Sequence, residues 1–262
     1  MPRTVKKFVV DFWATGLHGE EIGIRQKEQW MAKSRMFTRD MDIYGAIEEE
    51  DKKVGIVARR ENVWRGRSKK GENELRGRLV VRAFTSEGRW MGSIEEIVTL
   101  ETMRSLSAND VLPSFVVMVP GYEYLIWVEK ARRPFKYGDV MMFTYYDKKT
   151  KEFPVYIFKE KVFTLGSDWE LLKGGEKKAV ASLDGKVLDL GGRIDVKFYD
   201  EEAAANEVLT RVTLMFAAML KYYSDIKDRI KRRVEAVKKG EFTLRAGRGE
   251  LMLFKNPRRI VA

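Results

Sequence analysis

Two acidic residues and a lysine have the types and spacing of a metal-dependent nuclease site. Asp184 precedes Asp195 and Lys197 in the segment DGKVLDLGGRIDVK, where two predicted strands flank a glycine turn. Carboxylates on adjacent strands can hold Mg²⁺ while a lysine positions the attacking water. The acid-x-lysine pattern occurs seven times in this chain, so exposed charges at strand ends are the competing explanation. A Mg²⁺-dependent nuclease therefore remains a second alternative.

Basic residues interleaved with glycine and one tryptophan offer a different chemistry, the binding of nucleic acid. Residues 58–82 contain nine Lys or Arg and three Glu, a net charge of 9 − 3 = +6. Arginines bind phosphates while an aromatic ring stacks on a base. The candidate contacts here are Arg59, Arg60, Trp64, Arg65, Arg67, Lys69, Lys70, Arg76 and Arg78. The alternative is a β-hairpin whose Trp64 packs inward and whose arginines are solvated.

A second basic segment covers residues 227–259, with twelve Lys or Arg and four acids, a net charge of 12 − 4 = +8. Together the two segments have a net charge of +14, whereas the whole chain has +11. The remaining residues therefore have a net charge of −3. Such concentration favours a patch for a polyanion over a generally basic surface. The candidate contacts are Lys227, Arg229, Arg232, Arg233, Lys238, Lys239, Arg258 and Arg259. A solvated helix face is the alternative.

Composition argues against several enzyme classes. The chain lacks cysteine and has one histidine, His18, which excludes thiolate and multi-histidine metal sites. The turn from Thr15 to Glu20 lacks the Gly-Lys-Ser/Thr ending of a P-loop. We expect no cofactor and no metal, and we favour a non-enzymatic protein that binds RNA, DNA or a ribonucleoprotein. Since Met1–Val10 lacks a long apolar run, we expect a cytoplasmic location. Abundant Lys, Arg and Glu with few Asn or Gln suit a heat-adapted source.

The elements that must position these residues are mainly β-strands. Many short strands at close spacing suggest a barrel or a sandwich. We predict an α+β region with a basic hairpin over residues 1–108, and a β-barrel with a long helix and basic tail over 109–262. The predicted boundary is the helix-breaking segment Ser107–Pro113. Before it, Ser93 and Glu96 have the spacing of a capping box, which predicts a helix to about Leu106.

One long helix is predicted from the acidic step at Asp200 to about Lys239, with Gly240 as its stop. Val208–Tyr223 is apolar almost all round, as expected of an enclosed helix. The following part has a narrow apolar stripe and many cations, so we expect it to lie on a surface. Two further strands, Phe242–Arg245 and Leu251–Phe254, are predicted to close the fold.

The segment Lys161–Tyr223, in which strands with Gly and Asp turns lead into one very apolar helix, resembles the LURP-one-related and phospholipid-scramblase group. This resemblance implies a tubby-like closed β-barrel threaded by its apolar helix. It covers about a quarter of the chain, and the cysteines of lipidated scramblases are absent. The group has no agreed catalytic residues, so none is transferred. The resemblance implies an alternative function, the binding of anionic lipid or a membrane-associated partner.

Overall fold

The computed structural model describes residues 2–12, 41–60, 63–64, 72–132, 138–162, 168–186 and 192–255. Twelve antiparallel strands in these ranges form one closed barrel in which chain neighbours are spatial neighbours, and β1 closes on β12. The strands are β1 (Lys6–Phe12), β2 (Met41–Glu49), β3 (Lys52–Arg60), β4 (Val80–Thr85), β5 (Trp90–Glu96), β6 (Ser114–Met118), β7 (Ile126–Lys130), β8 (Val140–Thr144), β9 (Val155–Glu160), β10 (Trp169–Lys173), β11 (Ala179–Lys186) and β12 (Arg193–Phe198). The predicted closed barrel is confirmed.

Alternation of apolar and polar residues fixes which face of each strand points inward. On β12, Ile194, Val196 and Phe198 belong to the barrel core, whereas Asp195 and Lys197 point outward. Because side chains alternate along a strand, a shift of one residue would bring these charges into the core. The register of β12 against both neighbours is therefore set by burial.

The helices of the described residues are α1 (Glu72–Leu75), α2 (Val98–Ala108), α3 (Glu201–Ala205), α4 (Glu207–Leu220), α5 (Tyr223–Lys238) and α6 (Arg248–Lys255). The predicted single helix from 200 to 239 is thus three helices. The Asp200 carboxylate accepts from the Ala203 amide at 2.7 Å, and the Asn206 side chain accepts from the Leu209 amide at 3.0 Å. The Asn206 cap begins α4 inside the predicted helix, and Lys221 and Tyr222 separate α4 from α5.

Helix α4 occupies the inside of the barrel. The Phe216 ring stacks on the Phe158 ring of β9 with centroids 3.8 Å apart, and meets the Trp169 ring of β10 edge-on at 5.2 Å. Residues from Val212 to Leu220 are all buried. The predicted enclosure of an apolar helix is confirmed, and its lack of a polar face follows from contact with strands on every side.

Two other predictions are wrong. Ser93 and Glu96 lie in β5, and α2 begins only at Val98, so they form no capping box. The segment 242–247 is irregular, and Leu251–Phe254 belongs to α6 instead of a strand. Leu253 of α6 packs on Val116 and Met118, on the outer side of β6, which gives this short helix its tertiary support.

The predicted boundary near residue 108 falls between β5 and β6, which are hydrogen-bonded neighbours in the barrel. Strands from both predicted domains thus share one sheet. The division at residue 108 stays a prediction about which parts fold alone. Within the described ranges, none of the helices has the length and apolar character needed to cross a membrane.

Candidate anion-binding surface

The two basic segments predicted from the sequence meet at one end of the barrel. Helix α5 packs beside the connection between β3 and β4, and three of its arginines reach across. Arg229 Nη1 donates to the Trp64 carbonyl at 3.3 Å, and Arg233 Nη2 donates to the Gly77 carbonyl at 2.6 Å. Arg232 forms an ion pair with Glu74 at 2.9 Å. Segments separated by about 150 residues thereby form one region.

Arg233 is buried at the centre of this contact, with 0% of its surface exposed. Its guanidinium pairs with Glu96 of β5 at 3.0 Å and with Glu101 of α2. Glu96 also accepts from the Leu79 amide at 2.6 Å. A fully buried, doubly paired guanidinium cannot reach a nucleic acid. The sequence-based assignment of Arg233 as a contact is corrected to a structural role.

Burial acts to raise the pKa of both carboxyl groups, but their neighbours shift the two pKa values in opposite directions. Desolvation and the charge of Glu96 raise the pKa of Glu101 well above its ordinary value. Desolvation also acts to raise the pKa of Glu96, but the Arg233 guanidinium outweighs it and the pKa of Glu96 is lowered. Burial and mutual repulsion thus move the two carboxyl pKa values apart, and the Arg233 guanidinium stabilises the charged form of Glu96.

Trp64 is only 9% exposed, so its predicted stacking on a base is corrected as well. The Arg229 guanidinium carbon lies 3.8 Å from the centroid of its ring, and the Tyr222 ring packs against it at 5.3 Å. Arg59 lies 4.9 Å from the Tyr222 centroid. The inward-packed tryptophan that the sequence left as an alternative is the arrangement found.

Arg229 is a buried cation held by an aromatic face. In the part of the chain that the structure describes, it makes no ion pair and its Nε has no hydrogen-bond partner. Burial is the main cause that lowers the pKa of Arg229 below its usual value. Cation–π contact with Trp64 compensates part of the desolvation. Arg229 is therefore also corrected from an exposed contact to a packing residue.

Arg78 is the third buried arginine, and it forms an ion pair with Glu95 of β5. Lys227 is partly exposed and pairs with Asp139 at 3.1 Å, and Arg60 is partly exposed at the end of β3. The remaining predicted contacts, Arg65, Arg67, Lys69, Lys70, Arg258 and Arg259, lie outside the described residues, as do His18 and the turn around it.

A set of exposed cations remains where α5 ends, and we call it the basic rim: Arg76, Lys238, Lys239, Arg245 and Arg248. The Arg76 guanidinium lies 5.0 Å from the centroid of the Phe242 ring, which is itself buried against the last turn of α5. Gly249 places its backbone against the Arg78 guanidinium, so the chain after α5 returns to the β3–β4 connection. Within the described ranges, Lys239, Arg245 and Arg248 have no carboxylate partner.

Sequence reasoning missed Arg245 and Arg248 as contacts. Both arginines belong to the segment with net charge +8. Arg245 is the last residue of the predicted strand Phe242–Arg245, and Arg248 lies between that strand and the basic tail. The rim can contact several phosphates because its cations are exposed, unlike those on the inner face of α5.

The two carboxylates of the predicted nuclease site lie on adjacent strands, as the sequence predicted. Asp184 of β11 lies directly opposite Asp195 of β12. Each carboxylate has a cation, however: Lys197 Nζ lies 2.9 Å from Asp184, and Arg193 Nε lies 3.0 Å from Asp195. Among the described residues there is no group of three or more acidic or histidine side chains placed to hold a metal ion.

A scan of protein-family models returned no match for this chain, and neither did searches of curated proteins and of solved structures.

Proposed function

We propose that this protein is a non-enzymatic binding protein for RNA, DNA or a ribonucleoprotein, and that the basic rim is its contact surface. The observation that carries the proposal is the contrast between two sets of cations. Arg78 and Arg233 are buried and paired with carboxylates, whereas the rim's Arg245 and Arg248 are exposed and have no such partner among the residues that the structure describes. Within the described ranges, Arg245 and Arg248 can therefore contact phosphates without first leaving an ion pair. A nucleic-acid partner also agrees with the intracellular location predicted from the sequence.

The test is binding of a single-stranded RNA and a matched DNA duplex over a range of salt concentrations, after co-purifying nucleic acid has been removed. Neutralised phosphates release counterions, so log K should fall linearly with log salt. The double variant Arg245→Gln/Arg248→Gln should weaken binding about tenfold or more and reduce the slope by about 2.

The matched control is Lys148→Gln/Lys151→Gln, which removes the same charge from the β8–β9 turn at the other end of the barrel. Equal losses in the two variants would mean that only net charge matters, and would reject the rim as the surface. Binding that disappears at physiological salt in the unaltered protein would reject the function itself.

Anionic membrane binding is the second candidate, and one observation favours it. The β8–β9 turn presents Lys148, Lys149 and Lys151 beside Phe153, whose side chain is 67% exposed. An aromatic side chain flanked by lysines suits the interface of an anionic bilayer. Flotation with anionic but not neutral vesicles would support this candidate. It should be lost in Phe153→Ser and in Lys148→Gln/Lys151→Gln, and retained in Arg245→Gln/Arg248→Gln.

A further inference from the structure

The start of α6 brings exposed backbone amides next to arginines of the basic rim. The segment Gly247-Arg248-Gly249 is exposed, and Arg245 and Arg248 are two of the rim cations. The Glu250 carboxylate accepts from the Gly247 amide at 3.2 Å. The amides of Arg248 and Gly249 lie in the first helical turn, where N–H groups have no partner within the helix. Such amides, together with the helix dipole, favour an anion.

A buried arginine beside this helix start lacks an acceptor. Arg78 is only 8% exposed, and its Nη2 pairs with Glu95. Its Nη1 is also buried but has no hydrogen-bond partner among the residues that the structure describes. A buried N–H group without an acceptor costs free energy, because it has lost its water and gained no bond in exchange. An acceptor oxygen supplied by a ligand would remove that cost.

The Arg78 guanidinium packs directly against the first turn of α6. A Cβ atom at Gly249 would lie 3.3 Å from both Cζ and Nη2 of Arg78, and 3.6 Å from Nη1. The absence of a side chain at Gly249 therefore lets the backbone and the guanidinium approach this closely. The unpartnered Nη1 and the exposed amides of the helix start are thus neighbours.

Two acids adjoin this region, and both already accept from donors. Glu95 pairs with Arg78. Glu250 also accepts from the amide and the hydroxyl of Thr99 on α2. Arg78 and the two exposed arginines outnumber these acids, which leaves a local charge of 3 − 2 = +1. The charge of the region therefore agrees with the anion that its donors favour.

The number of donors indicates which phosphate fits. An internal phosphodiester has two unesterified oxygens and one negative charge. A terminal phosphate has three such oxygens and about 1.5 to 2 negative charges at pH 7. The first-turn amides, Arg78 Nη1 and the guanidiniums of Arg245 and Arg248 are grouped at one helix start instead of being spread along a groove. Such grouping suits the end of a strand better than its backbone.

We propose that the start of α6 and Arg78 bind the terminal phosphate of a nucleic-acid strand, a phosphate monoester. In this arrangement the phosphate oxygens accept from Arg78 Nη1 and from the amides of Arg248 and Gly249. The inference rests on the proposed function, because it names the group of the nucleic acid that this part of the basic rim contacts.

The test compares strands of one sequence that carry a 5′-phosphate, a 3′-phosphate or only hydroxyl ends, as RNA and as DNA, at physiological salt. A hydroxyl-ended strand that is longer by about two nucleotides matches the added charge of the phosphorylated strands. The unaltered protein should bind a phosphorylated strand about tenfold or more tightly than this charge-matched strand. Inorganic phosphate should reduce that preference.

Two variants locate the site. Arg78→Lys keeps a cation for Glu95 but loses Nη1, so the preference should fall to about twofold or less while the hydroxyl-ended strand binds as before. Gly249→Ala should also lower the preference, because its Cβ displaces the Arg78 guanidinium. Arg211→Lys is the matched control, since Arg211 pairs with Glu207 at the start of α4, and it should keep the full preference.

Thermal unfolding shows whether each variant is folded, and the comparison of strands on the unaltered protein stands without them. Equal binding of all strands would overturn this inference and leave the proposed function intact. A preference that folded Arg78→Lys and Gly249→Ala both retain would overturn it as well, because the terminal phosphate would then bind elsewhere. Absence of binding to every strand would instead reject the proposed function, and this inference with it.

Discussion

At Arg233 a guanidinium and two carboxyl groups share a site from which water is excluded. Burial and the charge of Glu96 raise the pKa of Glu101, whereas the Arg233 guanidinium lowers the pKa of Glu96. The desolvation of such a cluster offsets much of its attraction, so its net contribution to stability is modest. Loss of one partner is different, because it leaves a buried charge without compensation.

The variant Arg233→Met should therefore lower the free energy of unfolding by about 3–5 kcal/mol. Arg232→Met is the matched control one residue away, since Arg232 is half exposed and its ion pair with Glu74 contributes at most about 1 kcal/mol. Urea unfolding of the two variants measures the difference. Similar losses would show that Arg233 is not the centre of this contact.

The raised pKa of Glu101 predicts a pH dependence of stability. Because the folded-state pKa of Glu101 is raised above its ordinary 4.5, the folded protein keeps a proton that the unfolded chain releases. The stability that this group contributes is complete below the unfolded-state pKa of Glu101. It is lost as pH rises through the folded-state pKa. Glu96 has the opposite sign, and its contribution is lost as pH falls through its lowered pKa.

Replacement of Glu101 by Gln removes the titrating proton while an amide oxygen can still accept from Arg233. As pH rises above the ordinary pKa of Glu101, the unfolding free energy of Glu101→Gln should therefore decline less steeply than that of the unaltered protein. Glu87→Gln, on the exposed β4–β5 turn, should keep the original slope. A Glu101→Gln profile parallel to the original would show that Glu101 is ionised in the folded protein.

Among the elements, α6 and α2 support each other through one side chain. Glu250 Oε1 accepts from the Thr99 amide at 3.0 Å, and Oε2 accepts from the Gly247 amide at 3.2 Å. A carboxylate from the C-terminal segment thereby caps the first turn of α2, which has no cap of its own, and the start of α6. The two helices are coupled although 151 residues separate Thr99 from Glu250.

Glu250→Ala should release α6 from the barrel at a cost of about 1–2 kcal/mol. Proteolysis within residues 245–255 should become faster, because a short helix that is no longer packed on the barrel is only marginally stable in water. Glu241→Ala, at an exposed position just after α5, should leave both stability and cleavage unchanged. Unaltered cleavage in Glu250→Ala would show that Leu253 alone keeps α6 in place.

For the whole molecule, closure of the barrel makes the two halves of the chain interdependent. β12 hydrogen-bonds to β1, and β6 hydrogen-bonds to β5, so residues 109–262 contain both cut edges of the sheet. Helix α4 also packs against β4 and β5 and would lose that side of its enclosure. An apolar helix exposed along one side and two open edges favour aggregation.

A fragment of residues 109–262 should therefore not fold alone, and co-expression with residues 1–108 should restore a soluble complex. Near-ultraviolet circular dichroism and size-exclusion chromatography measure both outcomes. The full-length chain is the control. A monomeric fragment with cooperative unfolding would support the domain boundary predicted from the sequence.

The family resemblance implied that the barrel is closed. The sequence by itself determined that many short strands combine with an enclosed apolar helix, in a barrel or a sandwich, because such elements have few ways to bury their apolar surface. It also located the concentration of positive charge. Only the tertiary structure decided which cations are exposed. Arg229 and Arg233 share a helical face with Ile226 and Ile230. A guanidinium is buried only where the fold supplies a neighbour that stabilises its charge, such as an aromatic ring or a carboxylate. The partner Glu96 lies 137 residues away from Arg233, beyond the range of any local pattern.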